Sequence, residues 1–280
     1  MLLMSFVNVN DQLAGPAATI ETVANSSYHS NSLNVLNLTD QQRSIHAFLL
    51  GSVWEDPRTA TEINELRYAS LWSAEHSERV ATGVGALAIA SGEDFRSARL
   101  AVTAAVLHDI GKADPQVHNI VDYPGKYDVK QRTQMKLHVP IGMQKAKQAG
   151  FSHNTVQLMG CVHAVFNRMP DPYPLNFVLE PRFFESTLAP DLETYVEVLA
   201  ATEGHSDGQF SHNRRSKPNL EKLAAILVLW DYFDARQSQR PERPDHIEKR
   251  ETTMQSLNHY YTGNVSVLEQ FDALTRPRRL

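Results

Sequence analysis

The stretch FRSARLAVTAAVLHDIGK, Phe95 to Lys112, decides the fold. After Arg99 it is apolar on nearly every side, the pattern of a helix buried in a core rather than one lying on a surface. An imidazole and a carboxylate then stand together, His108 and Asp109, before Gly111 ends the run. Neither is cheap to bury: an ionised carboxylate in apolar surroundings is strongly unfavourable unless it is paired or bound to a metal. The anomaly recurs in ILVLWDYFDA, Ile226 to Ala235, where Asp231 interrupts a second apolar helix. Two buried carboxylates on different helices imply a shared cation.

Histidines are at hand to complete such a site. His76, His138 and His163 each fall on an expected helix. A lone histidine is more often a structural or surface residue; three of them in a chain with two buried carboxylates call for a common role. Imidazole with carboxylate is a borderline ligand set that suits Fe, Mn, Zn, Co or Ni better than Ca or Mg. Five or six such ligands, with a bridging Asp, exceed what one tetrahedral ion takes, so two divalent transition-metal ions are expected.

Around this centre the sequence reads as helix throughout. Asp40 can cap a helix over Gln41 to Val53, and Thr59 or Thr61 one running to about Ala90, closed by Gly92. Met135 to Ala149 closes on Gly150, and Thr155 to Phe166 breaks at the Pro-rich stretch from Met169 to Pro174. Leu192 to Thr202, Leu220 to Ala235 and a polar tail near Glu248 to Tyr261 follow, with no strand pattern of any length. Trp72 and Trp230 read as core. The fold class is therefore all-α: an irregular, Asn- and Ser-rich lead-in over residues 1–45, then one helical domain over 46–280.

With 27 Lys plus Arg against 32 Asp plus Glu in 280 residues, the chain lacks the positive field that long nucleic acid usually requires. A small anionic ligand remains compatible. No segment approaches ~20 uninterrupted apolar residues, so no membrane span is expected. The single cysteine, Cys161, allows no internal disulfide and suits a reducing cytoplasm.

The order His76, His108-Asp109, His138, His163, Asp231 resembles the H, HD, H, H, D pattern of the HD superfamily of metal-dependent phosphohydrolases. More narrowly, HDIGK at His108 to Lys112, HVPIG at His138 to Gly142, and DYFDA at Asp231 to Ala235 followed by Arg240-Pro241 resemble the HD-GYP phosphodiesterases. That resemblance spans roughly Ala69 to Pro244. It implies an HD-domain helical bundle, a two- or three-metal site and hydrolysis of cyclic di-GMP or mixed cyclic GMP-AMP. On this reading His76, His108, Asp109, His138, His163 and Asp231 hold the metals. Asp109 bridges them, and a metal-bridging hydroxide attacks phosphorus in line. Lys112 contacts phosphate, and Arg240 is either a second phosphate contact or a solvated charge. Asp234 is either a local cap or part of the site.

The chain departs from that pattern in places. His163 is followed by Ala164 where the family pairs histidines, and Asp171-Pro172-Tyr173-Pro174 is a remnant of its Gly-Tyr-Pro signature. The interval before Asp231 is longer than the family's, which suggests an inserted segment near 180–218; His205 or Asp207 in it could replace the missing histidine. Trp72 stands where trinuclear relatives carry a carboxylate, which favours two ions. The expected partner is a small-molecule nucleotide, with homodimerisation left open. Rival readings are an HD-type nucleotidase or phosphomonoesterase, a decayed cyclic-dinucleotide sensor, and a diiron oxygenase.

Overall fold

A computed structural model describes residues 36–162, 219–238, 247–261 and 265–276. The described residues are helical, with no strand among them, in agreement with the all-α expectation. Helix α1 is Asp40–Trp54. Its cap is Thr39 rather than Asp40: the Thr39 hydroxyl accepts from the Gln42 amide at 3.2 Å, and Gln42 Oε1 accepts from the Thr39 amide at 2.9 Å. This reciprocal pair satisfies two otherwise unpartnered donors.

The segment expected to run unbroken to Ala90 is two helices, α2 at Pro57–Ala69 and α3 at Leu71–Ala90. Asp56 caps α2 ahead of a proline at its first turn, where a missing amide proton costs nothing. Ser70 is extended and accepts from the Ser73 amide, so one residue closes α2 and opens α3. Gly92 takes a positive φ of 75° and ends α3, and Asp94 caps α4, Phe95–Leu107.

After α4 the chain makes a short 3-10 turn, Ile110–Ala113, then α5 at Pro115–Val121 and α6 at Val129–Lys136. Helix α7 is His138–Gln148 and α8 is His153–Cys161. The expected helix from Met135 is thus divided at Leu137, which places His138 at the start of a new element. Helix α9 is Leu220–Gln237, α10 is Arg250–Tyr260 and α11 is Val265–Thr275. The last was not anticipated. The expected helix at Leu192 to Thr202 and the inserted segment near 180–218 lie outside the described residues.

Helices α3 and α4 form the central pair, and α9 packs across both. Leu66, Leu87, Leu107, Leu227 and Phe271 are fully buried among them. Leu36 and Leu38 join this core, and the Asn37 amide donates to the Leu274 carbonyl. A smaller apolar cluster of Val117, Ile120, Val121, Met135 and Ile141 holds α5, α6 and α7 together.

Two glycines let elements approach closely enough to build the site. A Cβ on Gly83 of α3 would fall 2.2 Å from the Trp230 ring of α9. A Cβ on Gly111 would fall 1.9 Å from the His138 carbonyl oxygen and 2.7 Å from the Gly142 amide. The 3-10 turn therefore presses directly on the first turn of α7, bringing Asp109 and His138 together.

Candidate metal centre

Three imidazoles from three helices converge on two carboxylates. His108 caps α4, and its Nδ1 lies 2.7 Å from the Ala105 carbonyl oxygen. His138 opens α7, and its Nδ1 lies 2.6 Å from the Met135 carbonyl oxygen. A carbonyl only accepts, so each Nδ1 must carry its proton, and in the neutral ring each Nε2 keeps a lone pair. His76, midway along α3, does the same with a side chain: its Nδ1 is 2.7 Å from Asp234 Oδ2. Helical breaks at His108 and His138 supply the backbone carbonyls; α3, unbroken at His76, has none to spare.

The three Nε2 atoms face Asp109 and Asp231. Asp231 Oδ1 lies 3.0 Å from His76 Nε2 and 3.4 Å from His108 Nε2. Asp109 divides its oxygens: Oδ2 is 3.5 Å from His108 Nε2 and 4.0 Å from His76 Nε2, whereas Oδ1 is 3.4 Å from His138 Nε2. Lys112 Nζ lies 2.5 Å from Asp109 Oδ2. His76, His108, Asp109 and His138 are all buried.

The electrostatics follow from that crowding. Burial alone would lower the His108 pKa, but the Asp109 and Asp231 carboxylates outweigh it and hold the ring at about 8. Burial alone would raise Asp109, yet Lys112 and the three imidazoles hold it well below the usual carboxylate range. Asp234, likewise buried, is kept low by His76 and by Arg79.

A divalent cation suits this donor set. His108 Nε2 is buried without a well-formed hydrogen bond, a state that costs about 1–3 kcal/mol when nothing compensates it. One ligand atom each from His76, His108 and Asp231 lie within 4.8 Å of one another. Three imidazole nitrogens and two carboxylates are a borderline set for a transition metal.

Of the residues expected from sequence, His76, His108, Asp109, His138, Asp231 and Lys112 are brought together; His163 and Arg240 lie outside the described residues, as do His205, Asp207 and Asp171-Pro172-Tyr173-Pro174. Trp230 is core as expected. Trp72 is not: it is half-buried, stacks on His76 with ring centroids 5.1 Å apart at 9°, and lies 5.9 Å from Lys112 Nζ. It is a wall of the site. Arg79 escaped sequence reasoning altogether, although its place three residues after His76 mirrors that of Asp234 after Asp231.

The comparisons with known proteins agree at the level of family. A family model described as the HD domain matches residues 73–236, more than half of the chain and every residue of the cluster except Trp72. No curated protein and no solved structure matches significantly. Among the described residues, no helix is long and apolar enough to cross a membrane. With its imidazoles and carboxylates gathered where a divalent ion can be held, the chain belongs to the HD domain family, whose members are generally metal-dependent phosphohydrolases.

Proposed function

We propose that this protein is a metal-dependent phosphodiesterase that hydrolyses a cyclic dinucleotide, of the HD-GYP kind. The observation that carries the reading is the division of Asp109: its two oxygens face different imidazoles, His138 on one side and His76 with His108 on the other. A carboxylate so placed can serve two ions at once. His76, His108, Asp109, His138 and Asp231 would hold them, with His163 completing the set. When bound, such a pair supplies Lewis acidity to water and to the phosphoryl oxygens.

The chain's own groups do the rest. Lys112 is a cation fixed beside Asp109, suited to offset charge that builds on the non-bridging phosphate oxygens. The indole of Trp72 covers one face of His76 and limits access of bulk water to it. Asp109, held ionised by Lys112 and the imidazoles, accepts hydrogen bonds or binds a cation but cannot donate. Hydrolysis adds water across one P–O3′ bond, opening the ring to a linear dinucleotide.

Preference for a cyclic dinucleotide rests on HDIGK at His108 to Lys112 and on DYFDA at Asp231 to Ala235 with Arg240-Pro241. The test is product analysis with Mn2+ supplied, using cyclic di-GMP, mixed cyclic GMP-AMP and nucleoside monophosphates in parallel. A linear dinucleotide is the expected product. Turnover of the monophosphates alone would replace the reading with a phosphomonoesterase, and binding of cyclic di-GMP without turnover would replace it with a sensor.

A further inference from the structure

Helices α3 and α9 cross so that two pairs of residues, each three apart, meet face to face. His76 and Arg79 lie on α3, Asp231 and Asp234 on α9. The two carboxylates flank the same imidazole from opposite sides: Asp231 Oδ1 is 3.0 Å from Nε2, and Asp234 Oδ2 is 2.7 Å from Nδ1. Arg79 in turn grips Asp234 with two bonds, Nε to Oδ1 at 2.9 Å and Nη2 to Oδ2 at 3.1 Å.

We infer that Asp234 and Arg79 form a positioning pair that fixes the ring orientation and Nδ1–H tautomer of His76 for metal binding, with Arg79 acting only through Asp234. The inference rests on the metal-centre reading above. It follows from a contrast among the three imidazoles. His108 and His138 are oriented by backbone carbonyls that no substitution removes, whereas His76 depends on a side chain that must itself be held.

An unrestrained aspartate rotates about its side-chain torsions. The planar guanidinium, by engaging both oxygens, leaves this carboxylate one orientation, and a lysine has no equivalent fork. With both Asp234 oxygens occupied, one by Arg79 and the other shared by Arg79 and His76, Asp234 is directed to the back of the ring, and Asp231 is the carboxylate of α9 that faces the candidate ion site. Partners of this kind, one bond beyond a metal ligand, commonly change metal affinity by about 10–100-fold.

The test uses the full chain with Asp234→Asn, Arg79→Gln, Arg79→Lys and the double variant Arg79→Gln/Asp234→Asn. Calorimetric titration with Mn2+ alone is expected to show binding weakened by about 10–100-fold in Asp234→Asn and Arg79→Gln. The loss in Arg79→Lys should be smaller, and the double variant should be no weaker than the worse single one, because both act through one bond. Nitrogen-15 histidine spectra of the metal-free proteins give a second readout: the His76 Nδ1–H signal should be lost or shifted in Arg79→Gln, with those of His108 and His138 retained. Wild-type Mn2+ affinity in Arg79→Gln, within twofold, would overturn the inference, as would losses that simply add in the double variant. Should the native protein bind no Mn2+, the metal-centre reading fails instead, and an unchanged His76 signal in Arg79→Gln, or in Arg79→Lys if the former does not fold, would overturn the pair on its own.

Discussion

Raising the pH of the metal-free protein from about 6 to about 9 is expected to remove about 2 kcal/mol of stability through His108 alone. Burial depresses this ring's pKa, but Asp109 and Asp231 raise it further, from 6.5 to about 8, and that rise converts to about 2 kcal/mol. Because the folded value lies above the unfolded one, the contribution is complete below 6.5 and is lost as pH climbs through about 8. In a chain of this size the change amounts to on the order of 4–8 °C in Tm. Thermal denaturation of chelator-treated protein, native against His108→Gln, isolates the effect, since every other titrating group contributes to both. Metal should reverse the trend. An ion needs the Nε2 lone pair, so binding displaces a proton below about pH 8, and the metal-induced rise in Tm should grow over that range. Parallel loss of stability in the native protein and His108→Gln would refute the argument.

Lys112→Ala should lower kcat by about 100- to 1,000-fold while leaving Mn2+ bound; steady-state kinetics beside metal analysis will separate the two, and loss of the metal would contradict a phosphate role. Gly111→Ala drives a Cβ into the His138 carbonyl and the Gly142 amide, backbone atoms that cannot swing aside, so urea denaturation should show a loss of about 3 kcal/mol or more. Gly51→Ala, within α1 and with nothing in the way of the added carbon, should instead stabilise by about 0.5–1 kcal/mol. Cys161 is buried, which pushes its thiol up to about 12; the native protein should resist thiol reagents and react only in denaturant.

Much of this was legible in sequence because the chemistry interrupts the packing. Asp109 and Asp231 stand out as carboxylates in otherwise apolar helices, and α4 begins at Phe95 as expected, although it ends at Leu107, ahead of Gly111 where the run was expected to stop. What failed was local. The break at Ser70 carries no Gly or Pro; it depends on a hydroxyl capping the next helix, which a hydrophobic pattern does not register. Leu137 divides α6 from α7 because Pro140, in the first turn of α7, has no amide proton to give the Lys136 carbonyl, a signal that the apolar pattern passes over. Trp72 read as core because its neighbours are apolar, yet the ring it covers belongs to a metal-ligand candidate. Arg79 was invisible because an arginine on an amphipathic helix is ordinarily a solvated charge; its partner, Asp234, lies 155 positions away.

Metal content of the purified native protein, loaded with Mn2+ and compared with Asp109→Ala, decides whether these residues form a metal centre. Close to two ions per chain are expected in the native protein and little or none in the variant, since Asp109 is the carboxylate that faces all three imidazoles. A native protein without metal, or a variant that retains the same content, would contradict it.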